Sequence, residues 1–92
     1  MTQHALSLSS VELLHVRAKC AKFFLKQAEA GGRPIDLVGG PLDDRQAWLP
    51  DTIHRNGRAF TLGVRCISGD TVAVMYRRDA GGRWVFADGV AA

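Results

Sequence analysis

The sequence predicts an α+β protein in which one long N-terminal helix packs against a curved, four-stranded antiparallel sheet. Three observations support this prediction: a capping-box pattern precedes a long run with helical periodicity, the apolar period changes to two after Thr52, and tight-turn sequences separate the alternating segments. With 92 residues, of which 47% are hydrophobic, the chain suits one small folded domain covering 1–92.

The first helix is predicted to span 10–30. Ser9 and Glu12 form the capping box that starts it, because a serine side chain at the N-cap can accept a hydrogen bond from the backbone N–H three residues later. A glycine pair followed by a proline ends it, since glycine supplies a left-handed cap and proline cannot continue a helix. The residues before it, 1–8, are expected to form a flexible tail.

The segment 34–50 is predicted to connect the helix to the sheet. Its first five residues, Pro-Ile-Asp-Leu-Val, are typical of a short edge strand, where a leading proline is tolerated. The rest is predicted to form a short helix. Pro41 suits a first helical position, and Asp43 and Asp44 suit the positive end of the helix dipole. Pro50 would end this helix.

Residues 52–87 are predicted to form the antiparallel meander. Asn56-Gly57 is the strongest hairpin signal in the chain and predicts a tight turn with both residues at positive φ. Further turns are predicted at 68–70 and 79–82. Alternation then assigns one set of side chains to the face under the helix: Phe60, Leu62, Val64, Cys66, Val72, Val74, Tyr76, Trp84 and Phe86. This layout resembles roll-like, cystatin-like and nuclear-transport-factor-like folds in the arrangement of its elements alone.

The apolar arc of the first helix is about twice as wide as packing on one sheet requires. Two explanations remain open. The segment 34–50 covers the second flank, or that flank meets a second copy of the chain in a homodimer. The candidate dimer interface is the flank that contains Leu13, Arg17 and Phe24. The sheet then takes the flank with Leu14 and Leu25, although the sequence does not orient the helix and the division can be reversed.

The sequence contains no recognised catalytic or cofactor-binding motif. It lacks a phosphate-binding glycine loop, an HExxH motif, a CxxC motif and a GxSxG motif, and its histidines have no second ligand at metal spacing. Cys20 and Cys66 fall on apolar faces and are expected to be reduced, buried thiols. We therefore expect no cofactor, no metal and no enzymatic activity.

Two basic surfaces are candidates for binding a partner. The outer face of the sheet is expected to carry Arg65, Arg77 and Arg83, the last two as cross-strand neighbours. The first helix carries a row formed by Lys19, Lys22 and Lys26. Such surfaces suit an acidic protein partner, and nucleic acid is the alternative. A small-molecule pocket between helix and sheet is a further alternative.

The N-terminus lacks the features of a secretory signal, and no apolar run is long enough to span a membrane. The sequence thus predicts a small cytoplasmic protein that acts by binding, foremost as a protein-interaction or accessory regulatory module, and as a homodimer.

Overall fold

The protein folds as a long helix packed on a five-stranded mixed sheet. The structure, a computed structural model, describes residues 8–91, with side chains described as far as Ala87. The expected tail, 1–8, lies outside this range except for its last residue. In chain order the elements are α1 (Ser10–Glu29), β1 (Arg33–Val38), a 3-10 turn (Gly40–Leu42), β2 (Gln46–Leu49), α2 (Asp51–Asn56), β3 (Ala59–Arg65), β4 (Thr71–Arg78) and β5 (Trp84–Ala91).

Helix α1 begins where the capping pattern predicts. The Ser9 side chain accepts a hydrogen bond from the Glu12 backbone N–H at 3.2 Å. The Glu12 carboxylate does not complete the box. It accepts hydrogen bonds from the backbone N–H groups of Ile67 and Ser68, at 2.8 and 3.1 Å. The first turn of the helix is therefore tied to the turn that joins β3 and β4. Gly31, at φ 87°, follows the end of the helix.

The two later hairpins form as the alternation predicts. Strands β3, β4 and β5 pair in antiparallel order, and the turns between them contain Gly69 at φ 100° and Gly82 at φ 84°. The side chains assigned to the face under the helix lie there. Seven of them are buried: Phe60, Val64, Cys66, Val72, Val74, Tyr76 and Trp84.

The predicted hairpin at Asn56-Gly57 is wrong. The preceding residues form α2, and Gly57 has φ −75° rather than a positive value. Its backbone N–H donates to the Ile53 carbonyl at 2.7 Å, which closes the end of the helix. Asp51 in the first turn suits the helix dipole and pairs with Arg55 one turn later. These local interactions favour the short helix over a strand.

The short helix predicted before Pro50 is also wrong, because a 3-10 turn and strand β2 occupy that segment. Asp44 adopts φ 61°, a left-handed conformation that interrupts any helix. Beyond it, Ala47 and Leu49 are buried in the core while Gln46 and Trp48 are more exposed, and this alternation is the period of a strand.

The sheet has five strands rather than four, and it is mixed rather than wholly antiparallel. Its order is β2-β1-β5-β4-β3. Strand β1 was expected at an edge, yet it lies between β2 and β5. It pairs antiparallel with β2 and parallel with β5, where Leu37 and Val38 face Trp84 and Val85. The sheet is curled around the face that α1 covers.

Tyr76 links the sheet to the turn between β1 and β2. Its side chain is fully buried, and its hydroxyl donates to the Gly39 carbonyl at 2.6 Å and accepts from the Leu42 backbone N–H at 2.9 Å. Its ring packs against Phe60 and Phe86, with centroids 5.8 and 5.5 Å away. The phenol thus satisfies the buried Leu42 N–H and the partly buried Gly39 carbonyl.

Candidate interaction surface on the first helix

Helix α1 buries one flank and leaves the other in solvent. Val16, Cys20 and Phe24 are the buried residues of the helix, each at most 3% exposed. The Phe24 ring lies edge-on to Phe60 with centroids 6.4 Å apart. The flank proposed for a dimer is therefore the one that faces the sheet, and the division is the reverse of the one expected. Leu13, on the same flank, is half-buried.

Arg17, the third residue of that proposed interface, is also engaged within its own chain. It is half-buried, and its Nε donates to the Pro41 carbonyl at 2.8 Å. The guanidinium therefore fastens α1 to the 3-10 turn. The segment 34–50 does cover part of the wide apolar arc, since α1 packs against both the turn and β2.

The opposite flank of α1 forms an exposed apolar ridge, defined as Val11, Leu14, Ala18, Ala21 and Leu25. The three large side chains are 64, 64 and 57% exposed, and they are three of the five large hydrophobic residues exposed in the described part of the chain. The spacing of the five ridge residues alternates between three and four, which is the pattern of a helix that packs along another helix. The ridge is about 21 Å long at 1.5 Å per residue.

Positive charge borders the ridge along one side. Lys19, Lys22 and Lys26, here called the basic column, are exposed and adjoin the ridge on the helix surface. None of them takes part in an ion pair between described residues. His15 lies in the same row, and its Nε2–H donates to the Arg65 carbonyl at 2.9 Å.

Positive charge also borders the ridge on its other side. There a groove of about 270 Å³ separates α1 from the turn and β2, and Arg17, Ala21 and Arg45 line it. Two carboxylates belong to the helix. Hydrogen bonds from the backbone of Ile67 hold the pKa of Glu12 below its usual value, so this charge is already satisfied. Glu29 lies one turn beyond the end of the ridge. The ridge is thus an apolar strip with cations on both sides.

The arginines expected on the outer face of the sheet do not form one cluster. Arg65 pairs with Thr71 at one end of the β3–β4 ladder, and Arg77 pairs with Ala59 at the other end. The two ends are about 20 Å apart at 3.3 Å per residue. On the other side of β4, Arg77 pairs with Val85 of β5, so Arg77 and Arg83 are not directly opposite each other as expected. Arg83 instead pairs with Asp79, Nε to Oδ2 at 3.2 Å.

The two cysteines are free and buried. Burial raises the pKa of the Cys20 thiol to about 11. The pKa of the Cys66 thiol is also raised, mainly by burial and to a lesser extent by the negative charges of Glu12 and Asp70. Both therefore remain neutral thiols at neutral pH and act as small core side chains. Within residues 8–91, no group of three or more histidine, cysteine or acidic side chains is placed to hold a metal ion. No helix in that range is long and apolar enough to cross a membrane.

Arg78 is a candidate binding residue that the sequence reasoning missed. Its guanidinium carbon lies 4.7 Å from the centroid of the Trp84 ring, on the same side of the sheet as Tyr76. Strict alternation along β4 places Arg78 with Val72 and Val74 on the inner face, so the signal for this position was present.

Comparison with protein-family models found no match, and searches among curated proteins and solved structures found no similar protein. The surfaces described above are therefore the basis for any proposal about function.

Proposed function

We propose that the protein is a protein-interaction module that binds an acidic, amphipathic helix of a partner protein along the apolar ridge. The observation that carries this proposal is the ridge itself: five exposed apolar residues at alternating three- and four-residue spacing, three of them large, with cations on both sides. An apolar strip of this kind is costly to leave in solvent, and a helix laid along it would cover the strip over its whole length.

The apolar ridge supplies affinity for the partner helix, and the cations beside the ridge supply selectivity. Fully burying a leucine or valine side chain contributes about 1.5–3 kcal/mol relative to exposure, so Val11, Leu14 and Leu25 supply the main favourable term. Ala18 and Ala21, between them, carry only methyl groups and let a second helix approach closely. The basic column and Arg45 select for carboxylates on the flanks of the partner and speed its association.

A second copy of this chain suits the ridge less well than an acidic helix does. In an antiparallel pair the two basic columns would lie side by side, and in a parallel pair each column would lie beside the Arg17 flank of the other copy. Both arrangements bring like charges together, which costs free energy and must be offset by the apolar contacts. A homodimer formed through the ridge is therefore the alternative that the experiments below must exclude.

The test uses a designed helical peptide of about 15 residues, which matches the length of the ridge. The peptide carries leucines at three- and four-residue spacing with glutamates beside them, and a second version carries lysines in place of the glutamates. Fluorescence anisotropy of the labelled peptides measures affinity. We expect the glutamate peptide to bind at least about tenfold more tightly, and this preference to shrink as salt rises from about 50 mM to about 500 mM.

Three variants locate the binding surface. The double variant Leu14→Ser/Leu25→Ser should weaken binding by at least about tenfold, because it removes two apolar anchors. The double variant Lys22→Glu/Lys26→Glu should reverse the preference between the two peptides. Ile67→Ser is the matched control, since Ile67 is 61% exposed and lies on the β3–β4 turn rather than on the ridge. It should bind like the parent protein.

Three results would overturn the proposal. The first is equal binding of both peptides. The second is a protein that sediments as a dimer and becomes monomeric in the Leu14→Ser/Leu25→Ser variant, since the ridge would then belong to a second copy. The third is tight, steeply salt-dependent binding to a random DNA duplex that depends on the basic column, which would favour a nucleic-acid partner.

A further inference from the structure

A half-buried arginine on the inner face of the sheet, Arg78, has no carboxylate partner among the described residues. Arg78 Nη2 donates a hydrogen bond to the His54 carbonyl of α2, and the guanidinium stacks over the Trp84 ring. The ion pairs of the described residues are formed by other groups, namely Arg33 and Arg55 with Asp51, and Arg83 with Asp79. Within the described part of the chain, the positive charge of Arg78 therefore contacts one carbonyl dipole and one aromatic face.

This arrangement leaves Arg78 incompletely satisfied. Its Nε is fully buried and has no hydrogen-bond partner, and among described residues it is the single buried side-chain nitrogen or oxygen in that condition. Removing a charge from water is costly unless an opposite charge or several hydrogen bonds compensate it. A buried polar group left unpaired is uncommon in a native fold and calls for a physical reason, of which a bound ion or a functional role is one. The packing against Trp84 and the bond to His54 hold the guanidinium in a fixed position.

Arg78 lines a cleft of about 450 Å³ between β1 and the turn before β5. The cleft lies beside the short β1–β5 pairing, which is described at Leu37 and Val38. Its walls include apolar atoms of Pro34, Val38 and Trp84. The volume lies within the range of small-molecule sites.

Among the described residues, the unpaired positive charge that lines the cleft belongs to Arg78. Arg83 and His54 also line the cleft, but the Asp79 carboxylate balances the charge of Arg83. Asp36, on the opposite wall, is exposed and is the one carboxylate among the residues that line the cleft.

We infer that this cleft binds a small organic oxyanion, with the carboxylate or phosphate group on Arg78 and an apolar body against the wall formed by Pro34 and Val38. The guanidinium is suited to this role because it offers several donors in a rigid plane and cannot lose its charge in the physiological range. The site is separate from the apolar ridge and does not depend on the function proposed for it.

The test is an NMR titration with benzoate and with phenyl phosphate, with sodium chloride at equal ionic strength as the reference. The chain has two tryptophans, Trp48 and Trp84. The variant Trp48→Phe assigns the indole N–H signal of Trp84. We expect this signal to move saturably with at least one probe and to stay constant with chloride. Tighter binding of benzoate would indicate a carboxylate ligand, and tighter binding of phenyl phosphate would indicate a phosphate ligand.

The neighbouring arginines provide a matched pair of variants. Arg78→Gln removes the charge inside the cleft and should weaken binding by about tenfold or more, since hydrogen bonds to charged groups contribute about 1.5–3 kcal/mol. Arg77→Gln makes the same change one residue earlier, on the outer face, and should leave the affinity within about twofold. Asp36→Asn removes the repulsive carboxylate and should tighten binding by about twofold or more.

The inference fails if neither probe gives a saturable shift beyond that of chloride, or if folded Arg78→Gln binds as tightly as Arg77→Gln. If Arg78→Gln does not fold, Asp36→Asn decides, because Asp36 is exposed and its substitution should not disturb the core. An affinity that does not change in Asp36→Asn would then refute an anion site in the cleft.

Discussion

Removing a single oxygen atom from the core should lower the stability of this protein markedly. In Tyr76→Phe the ring remains, while the Gly39 carbonyl and the Leu42 N–H lose their partner. A buried backbone group left unsatisfied costs about 1–3 kcal/mol. Leu42 is 1% exposed, which places its N–H toward the upper part of that range, and Gly39 is only half-buried, so water can reach its carbonyl in part. We expect a total loss of about 2–4 kcal/mol.

Urea denaturation measures this loss directly. Since small domains are stable by about 5–15 kcal/mol, the midpoint should fall clearly while the slope of the transition stays unchanged. The thermal midpoint should fall by about 10 °C or more. Thr61→Val is the matched control, because it removes an exposed hydroxyl from the neighbouring strand and should change stability by less than about 0.5 kcal/mol.

Alkaline pH provides a second readout of the same contact. Burial raises the pKa of Tyr76 to about 12 from its ordinary value of 10.0. Between these values the unfolded chain releases the phenolic proton while the folded chain retains it, so the stability contributed by the protonated phenol is complete below pH 10 and is lost as pH rises. The difference in the free energy of unfolding between wild type and Tyr76→Phe should therefore become smaller as pH rises from 10 to about 12. A Tyr76→Phe protein within about 0.5 kcal/mol of wild type at pH 7 would refute the reasoning.

Further variants test the remaining features of the fold. Phe24→Asp should unfold the chain, because a charge placed in the core costs more than about 4 kcal/mol, whereas Leu25→Asp, one residue away on the exposed ridge, should remain folded by circular dichroism. Glu12→Gln should lower the thermal midpoint at neutral pH. Because the folded pKa of Glu12 lies below 4.5, the difference from wild type should vanish as pH falls through that region. Gly40→Ala should cost at least about 2 kcal/mol, since φ is +69° and the new Cβ would lie 2.3 Å from Phe86 Cγ. Gly69→Ala, at φ +100° with open space around it, should cost only about 1 kcal/mol in urea denaturation.

Long segments with a clear period could be predicted from the sequence. Helix α1 offered a full capping signal at Ser9 and about five turns of periodic residues. Strands β3 and β4 showed clear alternation on either side of the glycine-containing turn at 68–70. In each of these segments local propensity and burial agree, so the sequence alone was sufficient.

Short segments could not be predicted, because their signals are shared by different structures. Asn56-Gly57 suits a tight hairpin, but a glycine directly after a helix is equally common, and α2 is too short to show a helical period. The residues around Pro41 and Asp44 resemble a helix start, yet they form a turn before β2. The parallel pairing of β1 with β5 has no local signal at all, since it depends on residues far apart in the chain.

The candidate surfaces were predicted only in part. The basic column and the excess apolar area of α1 were visible in the sequence. Which flank faces the sheet was not, because both flanks are comparably apolar and the choice depends on the fit of Phe24 against Phe60. Arg78 could be assigned to the inner face by alternation, but the cleft beside it is formed with β1, whose pairing with β5 has no local signal in the sequence.

The placement of β5 in the sheet has a consequence for the order of folding. Strand β1 is synthesised early, yet one of its two edges finds its partner only when Trp84 and Val85 emerge, more than half the chain later. Until then the β1–β2 pair exposes unpaired backbone groups beside apolar residues, a state open to pairing with other chains. Closing so long a loop is slow compared with forming the two adjacent hairpins. We therefore expect refolding to proceed from a rapidly formed β3–β4–β5 unit to a slower docking of β1, which pulse-labelling hydrogen exchange would detect as late protection of the Val38 region.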